Sequence, residues 1–165
     1  MGLLRAAKAR LPPGVTLEIV DIDLPLYNGD VEAKGIPAKV AALRESVKAA
    51  DAVLFATPEY NYSVTAALKN ALDWCSRTPN VFNDKPAAVM GAGGGAGTAL
   101  SQAHLRQICI YLNVHFVNTT GVAVNAFAPG NFDAATGDLK NEDTKTRIGD
   151  LMTALAAWTR RLRHH

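Results

Sequence analysis

Short apolar runs alternate along the chain with longer stretches in which apolar residues recur every three or four positions. In Val15 to Ile22, Val15, Leu17, Ile19 and Asp21 alternate against Thr16, Glu18 and Val20, the two-residue period of a strand. A loop through Pro25, Asn28 and Gly29 follows. From Pro37 to Ala50 a helix is predicted by Ile36, Val40, Leu43 and Val47. Ala52 to Thr57 is a continuous apolar run, the pattern of a strand covered on both faces. Val64, Leu68, Ala71, Leu72 and Cys75 predict the next helix, Pro86 to Met90 another buried strand, and Leu105, Ile108, Cys109 and Leu112 a further helix. Val114 to Val124 holds one or two strands. Ile148, Leu151, Met152, Leu155, Thr159 and Leu162 form the apolar stripe of a closing helix.

Strands that alternate with helices across short loops imply an α/β fold, here one domain over residues 1–165 with a mostly parallel sheet wound on both faces. Ligands of such sheets bind at the carboxyl ends of strands, where the winding reverses. That rule selects the loops after Thr57 and after Met90.

The first loop is Pro58-Glu59-Tyr60-Asn61-Tyr62-Ser63. Ser63 is placed as the N-cap of the helix that follows. Tyr60 and Tyr62 offer flat amphipathic surfaces, and Asn61 offers both a donor and an acceptor. The plainer reading is a solvated turn, since turns prefer these residue types. Composition leaves both readings open.

The second loop, Gly91-Ala92-Gly93-Gly94-Gly95-Ala96-Gly97, has five glycines in seven positions. Glycine weakens a domain unless its backbone freedom is used, and it lets backbone approach a ligand closely. Six of these residues satisfy the dinucleotide fingerprint in its Ala-ended form, but that fingerprint also needs an acidic residue about twenty positions on. No Asp or Glu lies between Asp84 and Asp133, so a dinucleotide-binding Rossmann site is excluded.

Charge and composition narrow the field further. The 17 basic and 15 acidic residues leave a net charge of +2 with no basic run, which argues against nucleic acid. No apolar stretch is long enough for a transmembrane helix. The amino terminus lacks the apolar core of a signal peptide, and Ala6 breaks a myristoylation motif. Cys75 and Cys109 read as buried thiols of a cytoplasmic protein rather than a disulfide. His104 and His115 have no metal-ligand spacing to the cysteines, and no nucleophile elbow or Walker loop is present. The terminal His164-His165 pair reads as the stub of a tag.

Three stretches together resemble the NADPH-dependent FMN reductase family of flavodoxin-like proteins, and among them the plant-type quinone reductases. They are Pro58-Glu59-Tyr60-Asn61 with Ser63, Leu68-Lys69-Asn70-Ala71-Leu72-Asp73-Trp74, and Gly93-Gly94-Gly95 leading into Ser101-Gln102 and His104-Leu105-Arg106-Gln107. The resemblance implies a three-layer flavodoxin-like fold. It also implies FMN as cofactor, NADPH or NADH as co-substrate, and a quinone or similar small molecule as electron acceptor. Carried over position by position, Pro58, Glu59, Tyr60, Asn61, Ser63, Gly93, Gly94 and Gly95 become the cofactor-binding residues. Lys69 and Asp73 stand four apart on one helix. They read either as an exposed intrahelical pair or, by the resemblance, as interface residues of a homodimer or homotetramer, with Leu72, Trp74 and Cys75 adding contact area.

Two departures bear on this. Leu100 stands where relatives often carry Arg. Met1 falls where the family's phosphate-binding loop hands over to its helix, so the first strand of the fold and that loop are expected to be absent. In the flavodoxin order 2-1-3-4-5 this leaves two strand edges facing a gap. It also implies micromolar or weaker flavin binding with little preference for FMN over riboflavin. The rival function on these grounds is a non-catalytic flavodoxin-like scaffold.

Overall fold

The computed structural model describes every residue except Thr119, Thr120 and the His164-His165 pair, and that pair's reading as a tag stub therefore lies outside the described residues. Helices α1 (Gly2–Lys8), α2 (Gly29–Glu32), α3 (Ala38–Ala49), α4 (Ala66–Cys75), α5 (Ala99–Tyr111) and α6 (Glu142–Arg163) surround strands β1 (Val53–Ala56), β2 (Pro86–Gly93), β3 (His115–Phe116) and β4 (Val122–Asn125). All pairings are parallel. β1 lies beside β2, and the two ends of β2 pair in turn with β3, through Pro86 and Ala87, and β4, through Met90 to Gly93.

Strand alternation sorts the side chains into two layers. Phe55, Ala87 and Val89 pack under Leu43, Val47, Leu68, Leu72 and Leu105 of α3, α4 and α5. Ala88, Met90, Val122 and Val124 pack against Leu3 and Ala7 of α1 and Ile148, Leu151, Met152 and Leu155 of α6. This is the expected doubly wound arrangement. α6 begins on Asn141, whose side chain accepts the Thr144 N–H. It carries Glu142 and Asp143 in its first turn and Arg160, Arg161 and Arg163 in its last, in accord with the helix dipole. α1 has no counterpart in the periodicity, because seven residues show too few turns to reveal a stripe.

The strand expected over Val15 to Ile22 is not one. The segment is extended, with Val15, Leu17, Ile22 and Leu24 half-buried, but among the described residues no backbone–backbone hydrogen bond involves residues 16–26. Period-two patterning reports which faces are covered, whereas a strand requires a paired neighbour, and none lies beside this one among the described residues. The end of the segment is held by side chains instead. Asn70 accepts the Tyr27 N–H at 2.8 Å and donates to the Leu24 and Pro25 carbonyls, while the Trp74 indole N–H donates to Pro25 at 2.8 Å. The Tyr27 ring stands edge-on to Trp74, with centroids 4.9 Å apart. Arg77 and the Tyr27 hydroxyl then hold the Glu32 carboxyl below the usual carboxylate range.

Leu72, Trp74 and Cys75 are nearly or fully buried, which overturns their expected part in a contact surface. Leu72 and Cys75 pack in the layer over the sheet and Trp74 lies against the loop at Pro25 and Tyr27, and α4 ends where the Arg44 guanidinium donates to the carbonyls of Trp74, Cys75, Arg77 and Pro79. Both cysteines are free, and burial pushes the thiols up to about 11 for Cys75 and about 12 for Cys109.

Candidate functional site

β1 and β2 are hydrogen-bonded neighbours, so the loops that leave their carboxyl ends emerge side by side. Thr57 continues the ladder by donating its N–H to Met90, and its buried hydroxyl bonds the Pro58 carbonyl at 2.8 Å. The chain then reverses. Tyr60 and Ser63 exchange backbone hydrogen bonds of 3.0 Å, and the two residues between them have φ of 51° at Asn61 and 63° at Tyr62. Two successive positive φ values make a type I′ turn. Asn accepts that conformation readily, but a bulky aromatic there is strained, and such strain concentrates at functional sites. Tyr60 and Tyr62 project to solvent at the mouth of the loop.

The N-cap of α4 is Thr65, whose hydroxyl oxygen accepts from Leu68 N–H, and not Ser63 as expected. The turn takes up the residues nearest the strand and moves the helix start two positions on. The Ser63 hydroxyl instead meets Nδ1 of His104 on α5 at 2.6 Å. His104 is thus hydrogen-bonded to a residue of this loop.

The glycines divide by what surrounds them. Gly91 and Gly93 are still strand residues. A side chain at Gly91 would overlap the Thr57 carbonyl and Thr98, one at Gly93 the Gly97 carbonyl, and Gly97 combines φ of +66° with a position where a Cβ would stand 2.9 Å from the Ala123 backbone. These three are required by packing. Gly94 and Gly95 are exposed and a Cβ at either would have no atom within 4 Å, so no internal contact explains why they lack side chains. They form the tip of a turn closed by the Gly97 N–H on the Gly94 carbonyl at 2.8 Å.

One side chain joins the two loops. The Glu59 carboxylate accepts the backbone N–H groups of Leu100 and Ser101, each at 2.9 Å, in the first turn of α5. A carboxylate is favoured there by the free N–H groups and the helix dipole. Glu59 therefore points at the glycine loop's helix rather than into open space. Ser101 bonds back to the Thr98 carbonyl, and the Gln102 amide donates to Thr98 and to the Val122 carbonyl, so the Ser-Gln pair stitches α5 to β4. No spacing rule connects residue 59 to residues 100 and 101, and the sequence alone carried no signal of this contact.

Lys69 and Asp73 form an intrahelical ion pair of 2.7 Å on the half-exposed face of α4. They border a shallow cavity of ≈ 330 Å³ between α4 and α5 that His104, Gln107 and Tyr111 also line. Among the described residues no group of His, Cys, Asp and Glu is arranged to hold a metal, and no helix is long and apolar enough to cross a membrane.

Residues 2–129 match the family described as NADPH-dependent FMN reductase. The chain is 49% identical to an NADPH:quinone oxidoreductase of Arabidopsis thaliana over 166 residues, covering 98% of this chain and 85% of that one. It is 48% identical to an NAD(P)H-dependent FMN reductase of Pseudomonas aeruginosa over 163 residues, covering 97% and 87%. The fold superposes on the FerB flavoenzyme NAD(P)H:(acceptor) oxidoreductase of Paracoccus denitrificans with a TM-score of 0.79 at 32% identity, covering 96% and 86%.

Proposed function

Because the chain belongs to the NADPH-dependent FMN reductase family, we propose that it is an FMN-dependent NAD(P)H oxidoreductase that holds the flavin ring between the Tyr60–Ser63 and Gly94–Gly97 turns and passes electrons to a quinone. The observation that carries the site is the pairing of these turns at the ends of adjacent strands, with Glu59 fastening one to the other. The residues suit a flavin ring. Gly94 and Gly95 leave backbone uncovered by side chains toward a flat heterocycle, and Pro58, Asn61 and the two tyrosines furnish an opposing surface with polar edges.

FMN, when bound, supplies the hydride and electron chemistry. The task of the chain is positioning. Glu59 is a positioning residue, since its carboxylate is taken up by α5. Ser63 is the second tie, through His104. Gly93 acts by letting Gly97 close the loop rather than by its own exposure. No side-chain acid or base is assigned.

A homodimer or homotetramer with Lys69 and Asp73 at or near its interface belongs to the same reading, as does a cytoplasmic location. Exposed Ile110 and Tyr111 at the end of α5 support the former, and two reduced cysteines the latter. The deciding experiment mixes purified protein with FMN, NADPH or NADH, and benzoquinone. Acceptor-dependent oxidation of the nicotinamide is expected, and its absence with both nicotinamides overturns the proposal.

A further inference from the structure

Four large apolar side chains stand exposed beside the paired turns. Tyr60 and Tyr62 lie on the loop after β1, Leu100 in the first turn of α5, and Phe127 on the loop after β4. Phe127 is held next to the glycine turn, because the Ala126 N–H donates to the Gly93 carbonyl at 2.7 Å and the Asn125 side chain accepts the Phe127 N–H at 2.9 Å. Leu100 is held at the junction of the two turns, since its N–H is one of the pair that Glu59 takes. Single exposed apolar residues are ordinary, but four from separate segments around one opening form a surface.

The same opening is almost without charge. Glu59 is the only Asp, Glu, Lys or Arg in residues 57–65, 94–103 and 125–132. The free N–H groups at the start of a helix such as α5 draw anions. Here the Glu59 carboxylate already takes those of Leu100 and Ser101. The next charged or basic groups are engaged as well. His104 meets Ser63, Lys69 pairs with Asp73 at 2.7 Å, and Arg106 lies over the Phe116 ring and donates to Asn118. An anion entering between the turns gives up hydration and meets no unpaired cation among the described residues of these segments.

We propose that this opening selects uncharged acceptors over anionic ones, and that Leu100 is the residue that decides it. Its side chain is apolar and stands, fixed by Glu59, where a charge would act on any acceptor that enters. The inference rests on the proposed flavin site and narrows its acceptors to uncharged quinones. The net reaction takes NAD(P)H, one proton and a quinone to the oxidised nicotinamide and a hydroquinone. Two electrons and two protons reach the acceptor, so substrate and product are both neutral. The reduced nicotinamide ring is neutral too, and its cofactor carries negative charge on phosphates away from that ring.

The test compares 1,2-naphthoquinone with its 4-sulfonate, which share a ring system and differ by one negative charge. For each, kcat/KM is measured on FMN-saturated protein and divided by the rate with free reduced FMN, which removes their difference in reduction potential. Wild type should favour the uncharged quinone by at least about fivefold. Leu100→Lys should shift that ratio at least about fivefold toward the sulfonate, and Leu100→Glu by a similar factor away from it. Both shifts should shrink as salt rises from about 0.02 M to about 0.5 M. Loss of the apolar side chain alone would move both variants the same way, so opposite signs identify the charge. Shifts of one sign, or shifts indifferent to salt, overturn the proposal. So does a change of mass by light scattering in Leu100→Lys, which assigns Leu100 to a contact between subunits. A wild type that turns over both quinones equally overturns this inference alone, whereas failure to turn over either one overturns the site on which it rests.

Discussion

Glu59 and Ser101 stand 42 positions apart in the chain, and the carboxylate of the first accepts the backbone N–H of the second at 2.9 Å, with the Leu100 N–H on the same oxygen. This contact turns two independent loops into one clamp. Glu59→Ala should weaken FMN affinity by about tenfold or more, because hydrogen bonds to a charged group contribute roughly 1.5–3 kcal/mol each. Glu59→Gln, which keeps one acceptor without the charge, should fall between wild type and Ala. Flavin fluorescence quenching measures both. Equal affinity in all three proteins would remove Glu59 from the site.

The glycines should separate into structural and ligand-facing positions. Gly91→Ala places a methyl group into the Thr57 carbonyl and should destabilise the fold by about 1–3 kcal/mol. Gly95→Ala meets nothing and should change stability by no more than about 0.5 kcal/mol. Its effect should instead appear in flavin affinity. Urea denaturation with flavin titration on each variant distinguishes the two classes.

Arg44 closes the end of α4 with four hydrogen bonds to carbonyls. Arg44→Ala leaves these without a charged donor, and a stability loss of about 2–4 kcal/mol is expected from chemical denaturation. Flavin affinity should change little, since these carbonyls lie outside the clamp.

The cysteines set an alkaline limit. Burial raises both folded-state thiol values, to about 11 and about 12, above the ordinary value near 9. The folded chain therefore holds protons that the unfolded chain releases, so this contribution is fully present below about pH 9 and lost as pH rises toward 11 and 12. Denaturation midpoints should fall between pH 9 and 11. Cys75→Ala with Cys109→Ala should flatten that fall, and an unchanged slope would assign it to other groups.

Light scattering at tens of micromolar should give the mass of a dimer or tetramer. Tyr111→Glu, at an exposed position bordering the Lys69–Asp73 cavity, should shift it toward the monomer. A wild-type monomer at that concentration overturns the assembly.

Periodicity by itself determined the layers. The apolar positions of β1, β2, α3, α4, α5 and α6 were legible because burial of one stripe or two faces imposes a repeat that local sequence must carry. The motifs also singled out the loops after β1 and β2, which emerge side by side because strand-end geometry follows from the winding alone. Three features belonged to tertiary structure. Val15 to Ile22 has a strand's pattern without a strand's ladder, because hydrogen bonds need a neighbour that pattern does not specify. Leu72, Trp74 and Cys75 had an assignable helix but no assignable face until α4 was laid on the sheet and its loop on Asn70 and Trp74. The division of the glycines, and the grip of Glu59 on α5, depended on which backbone lay within reach. Those contacts join residues far apart in the chain, and only the packed sheet brings them together.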